Sequence, residues 1–122
     1  MHELAVCQAL LEQVFGTARE RAARRVTRIV LRIGPLSGVE PELLRRAYSV
    51  AIAGTMAAEA ELVLEEAPAR VRCMECHGEG EASNCDLSCR RCGCWRTQLL
   101  SGDELLLKSV ELERDAEVEE HV

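Results

Sequence analysis

Two C-x-x-C pairs, Cys73-Met-Glu-Cys76 and Cys89-Arg-Arg-Cys92, stand twelve residues apart and constrain the folding of this chain more than any other feature. Four thiolates delivered as two such knuckles match a tetrahedral structural zinc site of zinc-ribbon type. The residues between them, beginning "HGEGEASN", are too poor in apolar side chains to build a core. Metal-binding free energy then serves as local folding free energy, and residues 70–97 are expected to form a zinc-binding domain.

Other chemistries use the same motif. Paired C-x-x-C units can be redox dithiols, but a thioredoxin-like site needs one such motif opening a helix after a strand. Iron held as in rubredoxin-like carriers is a further alternative, less attractive in a chain whose aromatics are Phe15, Tyr48 and Trp95. Cys85 and Cys94 lie near the set and His77 directly follows Cys76. Cys94 is one residue too far for the pair geometry, so the expected ligands are Cys73, Cys76, Cys89 and Cys92. His77 is expected to lie exposed beside them, able to replace a thiolate as cysteines protonate in acid.

The remaining sequence reads as a small domain around an aliphatic core. At 122 residues the chain suits one domain with a metal-stapled annex. A formal net charge of −6 argues against a general nucleic-acid binder, which needs a basic surface to neutralise phosphates. No apolar run approaches a membrane span, and the amino terminus lacks the pattern of a secretory signal. The expectation is a cytoplasmic protein with reduced thiols or metal-bound cysteines rather than disulfides.

Leu4, Cys7, Leu11, Val14 and Ala18 recur at helical steps, and Gly16 could bend that helix. Arg19, Glu20, Arg21, Arg24 and Arg25 would form its polar end, and Cys7 a small core residue. "VTRIVLRIG" alternates as a strand, with Ile29, Leu31 and Ile33 on one face. Pro41 fits the first position of a second helix that Gly54 could cap, leaving Glu40 as the last, exposed loop residue before it. "AELVLEEA" and "ELLLKSVELE" read as two more strands, the latter changing apolar phase near Lys108-Ser109. The acidic tail "RDAEVEEHV" reads as frayed and its His121 as solvated, with weak accessory ligation open to it. The fold class is therefore α/β (α+β): a small three-stranded sheet with two helices and an inserted zinc-ribbon-like four-cysteine domain. Residues 1–69, completed by 98–122, would form the α/β domain.

His2 has a neighbour that no internal histidine has, the α-amine of Met1. That amine titrates at about 7.7–8.0 in reference peptides, so a metal can displace its proton near neutral pH. The amine, the His2 amide and the His2 imidazole could close fused chelate rings, a planar nitrogen set better suited to Ni(II) or Cu(II) than to Zn(II).

An amino-terminal "MHE", a loop "GPLSGVEPE" opening a helix, and a C-x2-C…C-x2-C insert before a final strand together resemble the HypA/HybF family. That family comprises nickel metallochaperones of [NiFe]-hydrogenase maturation, and the resemblance covers essentially the whole chain. It implies that His2 is the indispensable nickel ligand, with amino-terminal backbone nitrogens completing much of the plane. It implies that Glu3 contributes through its amide and carboxylate, and that Glu40 supplies an acidic group close to nickel. It makes Cys73, Cys76, Cys89 and Cys92 the structural zinc ligands, and Ni(2+) a transient cargo. Where some relatives carry a histidine after the last C-x-x-C, this chain has Gly93-Cys94, which leaves only His77 for any zinc-to-nickel signalling through flanking histidines. The implied partners are a HypB-type GTPase accessory protein and the hydrogenase large subunit, and a homodimer is compatible with the pattern.

No nucleophile–base pair or phosphate loop is evident, so the expected function is that of a carrier rather than an enzyme. The alternative is a zinc-ribbon interaction or regulatory module in which His2 is incidental. A stoichiometric, His2-dependent nickel site separates the two.

Overall fold

A computed structural model describes residues 3–83, 86–114 and 119–121. The expectations for Met1, His2 and Cys85 lie outside those residues. The chain forms α1 (Glu3–Glu20), β1 (Ala23–Ile33), α2 (Pro41–Ala51), β2 (Glu61–Glu66), β3 (Ala69–Cys73), β4 (Glu79–Ala82), β5 (Thr97–Ser101), β6 (Leu105–Arg114) and β7 (Glu119–His121). Two sheets result: one of four strands in the order β2-β1-β6-β7, and one of three in the order β4-β3-β5. Two compact units divide the chain. One holds the described residues up to Leu31, Val39–Leu64 and those from Leu107 onward; the other holds Arg32–Gly38 and Glu65–Leu106.

In the first unit, α1 buries Cys7, Leu11, Val14 and Ala18 of the stripe read from helical spacing, while Leu4, expected on the same stripe, is exposed in the first turn. It packs against α2, whose Leu44 and Tyr48 are buried. Val26, Ile29 and Leu31 of β1 and Val110 and Leu112 of β6 complete this aliphatic core. The Tyr48 hydroxyl donates to the Ala60 carbonyl at 2.8 Å, and burial pushes its phenol up to about 12. The Cys7 thiol donates to the Leu44 carbonyl at 3.7 Å, consistent with a core role.

Several local expectations are corrected. α1 runs unbroken through Gly16, where a Cβ would meet nothing within 4 Å. The helix stops at Glu20, and Ala22 takes φ 53°, which turns the chain into β1. Arg24 and Arg25 therefore open a strand rather than end a helix, and both pair with Glu113 of β6. Pro41 does begin α2, but the helix ends with Ile52 as its C-cap, and Gly54 (φ 74°) shapes the turn beyond. The three predicted strands form β1, β2 and β6 of a four-stranded sheet; the tail adds the fourth, β7, pairing Glu111 with His121 through Glu113 with Glu119. The apolar phase of β6 changes as the sequence suggested: Leu105 and Leu107 are half-buried before the change, and Val110 and Leu112 are fully buried after it.

The second unit has a sheet of its own. β3 alternates Ala69, Val71 and Cys73 inward with Arg70 and Arg72 outward. It pairs antiparallel with β4, Ala69 opposite Ala82, and with β5, Cys73 opposite Thr97. Apart from Ile33 its buried side chains are small: Ala67, Ala69, Val71, Ala82, Cys73 and Cys89. Two of those seven are cysteines of the C-x-x-C pairs, so the metal site and the core of this unit overlap.

Candidate metal centres

The two C-x-x-C pairs fold into the same backbone shape sixteen positions apart. In the first, the Cys73 N–H donates to the Gly78 carbonyl (2.9 Å) and the His77 N–H to the Cys73 carbonyl (3.0 Å). In the second, the Cys89 N–H donates to the Cys94 carbonyl (2.9 Å) and the Gly93 N–H to the Cys89 carbonyl (2.8 Å). Both turns need a left-handed residue directly after the second cysteine: His77 at φ 61° and Gly93 at φ 76°. Each also aims backbone N–H groups at its first sulfur, Cys76 N to Cys73 Sγ at 3.4 Å and Cys92 N to Cys89 Sγ at 3.5 Å. Such amides favour thiolate over thiol.

The knuckles face each other so that Cys73 Sγ lies 3.5 Å from Cys92 Sγ and Cys76 Sγ lies 3.7 Å from Cys89 Sγ. All four sulfurs are within 4.8 Å of one another. A zinc tetrahedron with bonds of about 2.3 Å has sulfur–sulfur edges of about 3.8 Å, so this set fits a structural zinc. Among the described residues it is the one cluster of ligating side chains close enough to share a metal ion. Cys73 and Cys89 are buried, while Cys76 and Cys92 are exposed.

The surroundings of the thiols are strongly unequal. The Cys73 thiol is lowered to about 7, chiefly by the Cys76 backbone N–H. At Cys92 the Cys94 backbone N–H favours the thiolate, but the proton shared with Cys73, desolvation and the other two sulfurs outweigh it and raise the thiol to about 12. Four thiolates this close repel one another, and a dication is what lets all four ionise.

Cys94 stands apart: it is half-buried, and its sulfur accepts the Arg96 N–H at 3.4 Å. His77 is likewise outside the four-sulfur cluster and exposed. A Cβ on Gly78 would lie 2.7 Å from Arg91 Nη1 and 3.3 Å from Cys76 Sγ, so the Arg91 side chain of the second knuckle packs closely over the backbone of the first.

The acidic residues expected near the amino terminus also come together. Glu3 opens α1 and Glu40 is the N-cap of α2, with extended backbone (φ −85°, ψ 119°) and no side-chain cap bond. The Glu40 N–H donates to Glu3 Oε2 at 3.4 Å. Glu40 is exposed and Glu3 half-buried. Nothing in the spacing of these residues announced that contact, because it depends on how two helix starts are packed.

A small α/β protein whose four cysteines cluster with the spacing of a zinc tetrahedron is a metal-handling protein. Residues 1–112 match the family described as HypA, hydrogenase/urease nickel incorporation, metallochaperone, and the chain belongs to that family. It is 44% identical over 115 residues to the hydrogenase maturation factor HypA of Aquifex aeolicus (strain VF5), covering 94% of this chain and all of that one. With the HypA of Nitrosospira multiformis it shares 46% over 112 residues, 92% of this chain and 97% of the relative. In fold it is similar to the solution structure of the nickel metallochaperone HypA from Helicobacter pylori, with a TM-score of 0.66 at 21% identity over 94% of this chain and all of that one. Family membership makes this a nickel metallochaperone of hydrogenase maturation. No described helix is long and apolar enough to cross a membrane.

Proposed function

We propose that the chain carries Ni(II) at its amino terminus and delivers it to the [NiFe]-hydrogenase large subunit, in concert with a HypB-type GTPase. In this reading the His2 imidazole, amide nitrogens of His2 and Glu3 and the Met1 amine surround the ion. The Glu3 and Glu40 carboxylates stand at its edge. Cys73, Cys76, Cys89 and Cys92 hold a structural Zn(II) that keeps the second unit folded. The role is that of a cytoplasmic carrier, not of an enzyme. A carrier must release its cargo, and a shallow site at a chain terminus exchanges metal more readily than a closed cage.

The observation that carries this reading is the bond between the Glu40 N–H and the Glu3 carboxylate. It brings the start of α2, where Glu40 stands exposed, to the side chain of the residue that follows His2, which supports two acidic residues serving one site. Titrating the zinc-loaded protein, starting at Met1, with Ni(II) tests the proposal. One stoichiometric site is expected, abolished by His2→Ala with zinc content unchanged. Adding one or two residues before Met1 should weaken it by moving the free amine away from His2. Unchanged nickel affinity in His2→Ala would make the terminal site wrong.

A further inference from the structure

The four sulfurs of the cysteine cluster are not held alike. Cys73 Sγ accepts the Glu75 N–H at 3.3 Å and the Cys76 N–H at 3.4 Å, and Cys89 Sγ accepts the Cys92 N–H at 3.5 Å. The Cys94 N–H favours the Cys92 thiolate. Cys76 Sγ has the Cys89 sulfur as a neighbour at 3.7 Å and, among the described residues, no backbone N–H directed at it. Cys76 is also exposed to solvent.

A guanidinium stands where that amide is missing. Arg91 belongs to the second knuckle but reaches across the first. The point at which Gly78 would carry a Cβ is 2.7 Å from Arg91 Nη1 and 3.3 Å from Cys76 Sγ, so the cation and the sulfur face one gap that glycine leaves open. Among the described residues no carboxylate forms an ion pair with Arg91. Of the carboxylates that share its groove, Glu79 pairs with Arg72 at 2.9 Å and Glu81 stands opposite Arg70 in the β3–β4 ladder.

One zinc ion with four thiolates leaves negative charge in excess. Backbone amides take up part of that excess at Cys73, Cys89 and Cys92, whereas Cys76 has only a side chain at hand. Loss of the ion begins when one sulfur leaves it, and an exposed sulfur without an amide is the weakest of the four. We infer that Arg91 is the charge-compensating residue of the zinc site: laid over Gly78, its guanidinium holds Cys76 as a bound thiolate and keeps the exposed edge of the cluster closed. The inference rests on the reading of these four cysteines as zinc ligands. Arg90 carries the same charge one residue away in Cys89-Arg-Arg-Cys92 and serves as the comparison.

Zinc release from the full, zinc-loaded chain is timed with a chromogenic chelator, and the first cysteine alkylated by iodoacetamide is mapped by mass spectrometry. Arg91→Ala should release zinc about three- to fivefold faster than the parent, the effect of an exposed charge pair, with Cys76 alkylated first. Arg91→Lys, which returns the charge, should recover most of the difference. Arg91→Met, which keeps the stem without the charge, should not. Arg90→Ala should stay within about 1.5-fold of the parent. In about 1 M NaCl the parent and Arg91→Met rates should converge, because salt screens charge and leaves packing alone. Should Arg91→Ala fail to fold, the comparison of Arg91→Met with Arg91→Lys carries the test. Parent-like release in Arg91→Met, or an equal effect of Arg90→Ala, would overturn the inference. A parent chain that binds less than one zinc, or stoichiometric zinc retained in Cys76→Ala, would instead overturn the reading of Cys76 as a ligand.

Discussion

The backbone N–H of Glu40 donates to the carboxylate of Glu3 across 37 positions of sequence, tying the first turn of α1 to the start of α2. Glu3→Ala removes the acceptor and a negative charge from this corner, so nickel affinity should fall several-fold. Glu40→Ala should cost less than His2→Ala, because water can replace a carboxylate at the edge of a site but not an imidazole within it. Competition titration with a chromogenic nickel chelator orders the three variants. A Glu40→Ala loss as large as that of His2→Ala would place Glu40 inside the coordination plane.

Zinc and nickel should separate cleanly. Cys73→Ala or Cys92→Ala is expected to lose zinc and disorder residues from about 70 to 97 while the helices and the four-stranded sheet survive, since they own an aliphatic core. Cys94→Ala and Cys85→Ala should keep stoichiometric zinc. Metal analysis and amide NMR spectra decide it; loss of all cooperative folding in Cys73→Ala would show that the two parts fold as one.

The knuckles differ where their symmetry demands likeness. His77 adopts the left-handed backbone that Gly93 adopts at the matching place. A side chain there costs roughly 1–2 kcal/mol, which glycine avoids. His77→Gly should therefore stabilise the zinc-loaded protein by about 1 kcal/mol in urea unfolding, and Gly93→Ala should lower it by a similar amount. A destabilised His77→Gly would mean that the imidazole supports the fold.

Acid should act through Glu113. The Arg25 side chain, hydrogen-bonded to it, holds its carboxyl below the ordinary range, with Arg24 assisting. A carboxyl whose folded pKa is depressed contributes stability above its unfolded value, about 4.3, and loses it as pH falls through the folded value. Glu113→Gln should thus be less stable than the parent at neutral pH, and the two thermal unfolding curves should converge as pH drops below about 4. A gap that persists at low pH would point to packing rather than charge.

The parts of this fold that were legible in the sequence are those with large side chains or fixed spacings. The α1 stripe, the β1 alternation and Pro41 at the start of α2 rely on periodicity or on the stereochemistry of one residue. The four-cysteine cluster followed from spacing alone, because a metal tetrahedron admits few chain geometries. The β4-β3-β5 sheet was hidden, since its core of Ala69, Val71, Ala82 and cysteines gives almost no hydrophobic signal and β4 reads "EGEA". The Glu3–Glu40 contact and the close approach of the Gly34 and Gly102 backbones were equally hidden. Both are meetings of distant backbone, and no local pattern encodes them.

The chain order of the four-stranded sheet has a consequence for biogenesis. β6 is an inner strand, flanked by β1 and β7, yet it follows β1, β2 and the whole three-stranded sheet in chain order. All four clustered cysteines leave the ribosome before it does, so a nascent chain can capture zinc while β1 still lacks its neighbour. The four-stranded sheet therefore closes only after the four-cysteine segment has been made.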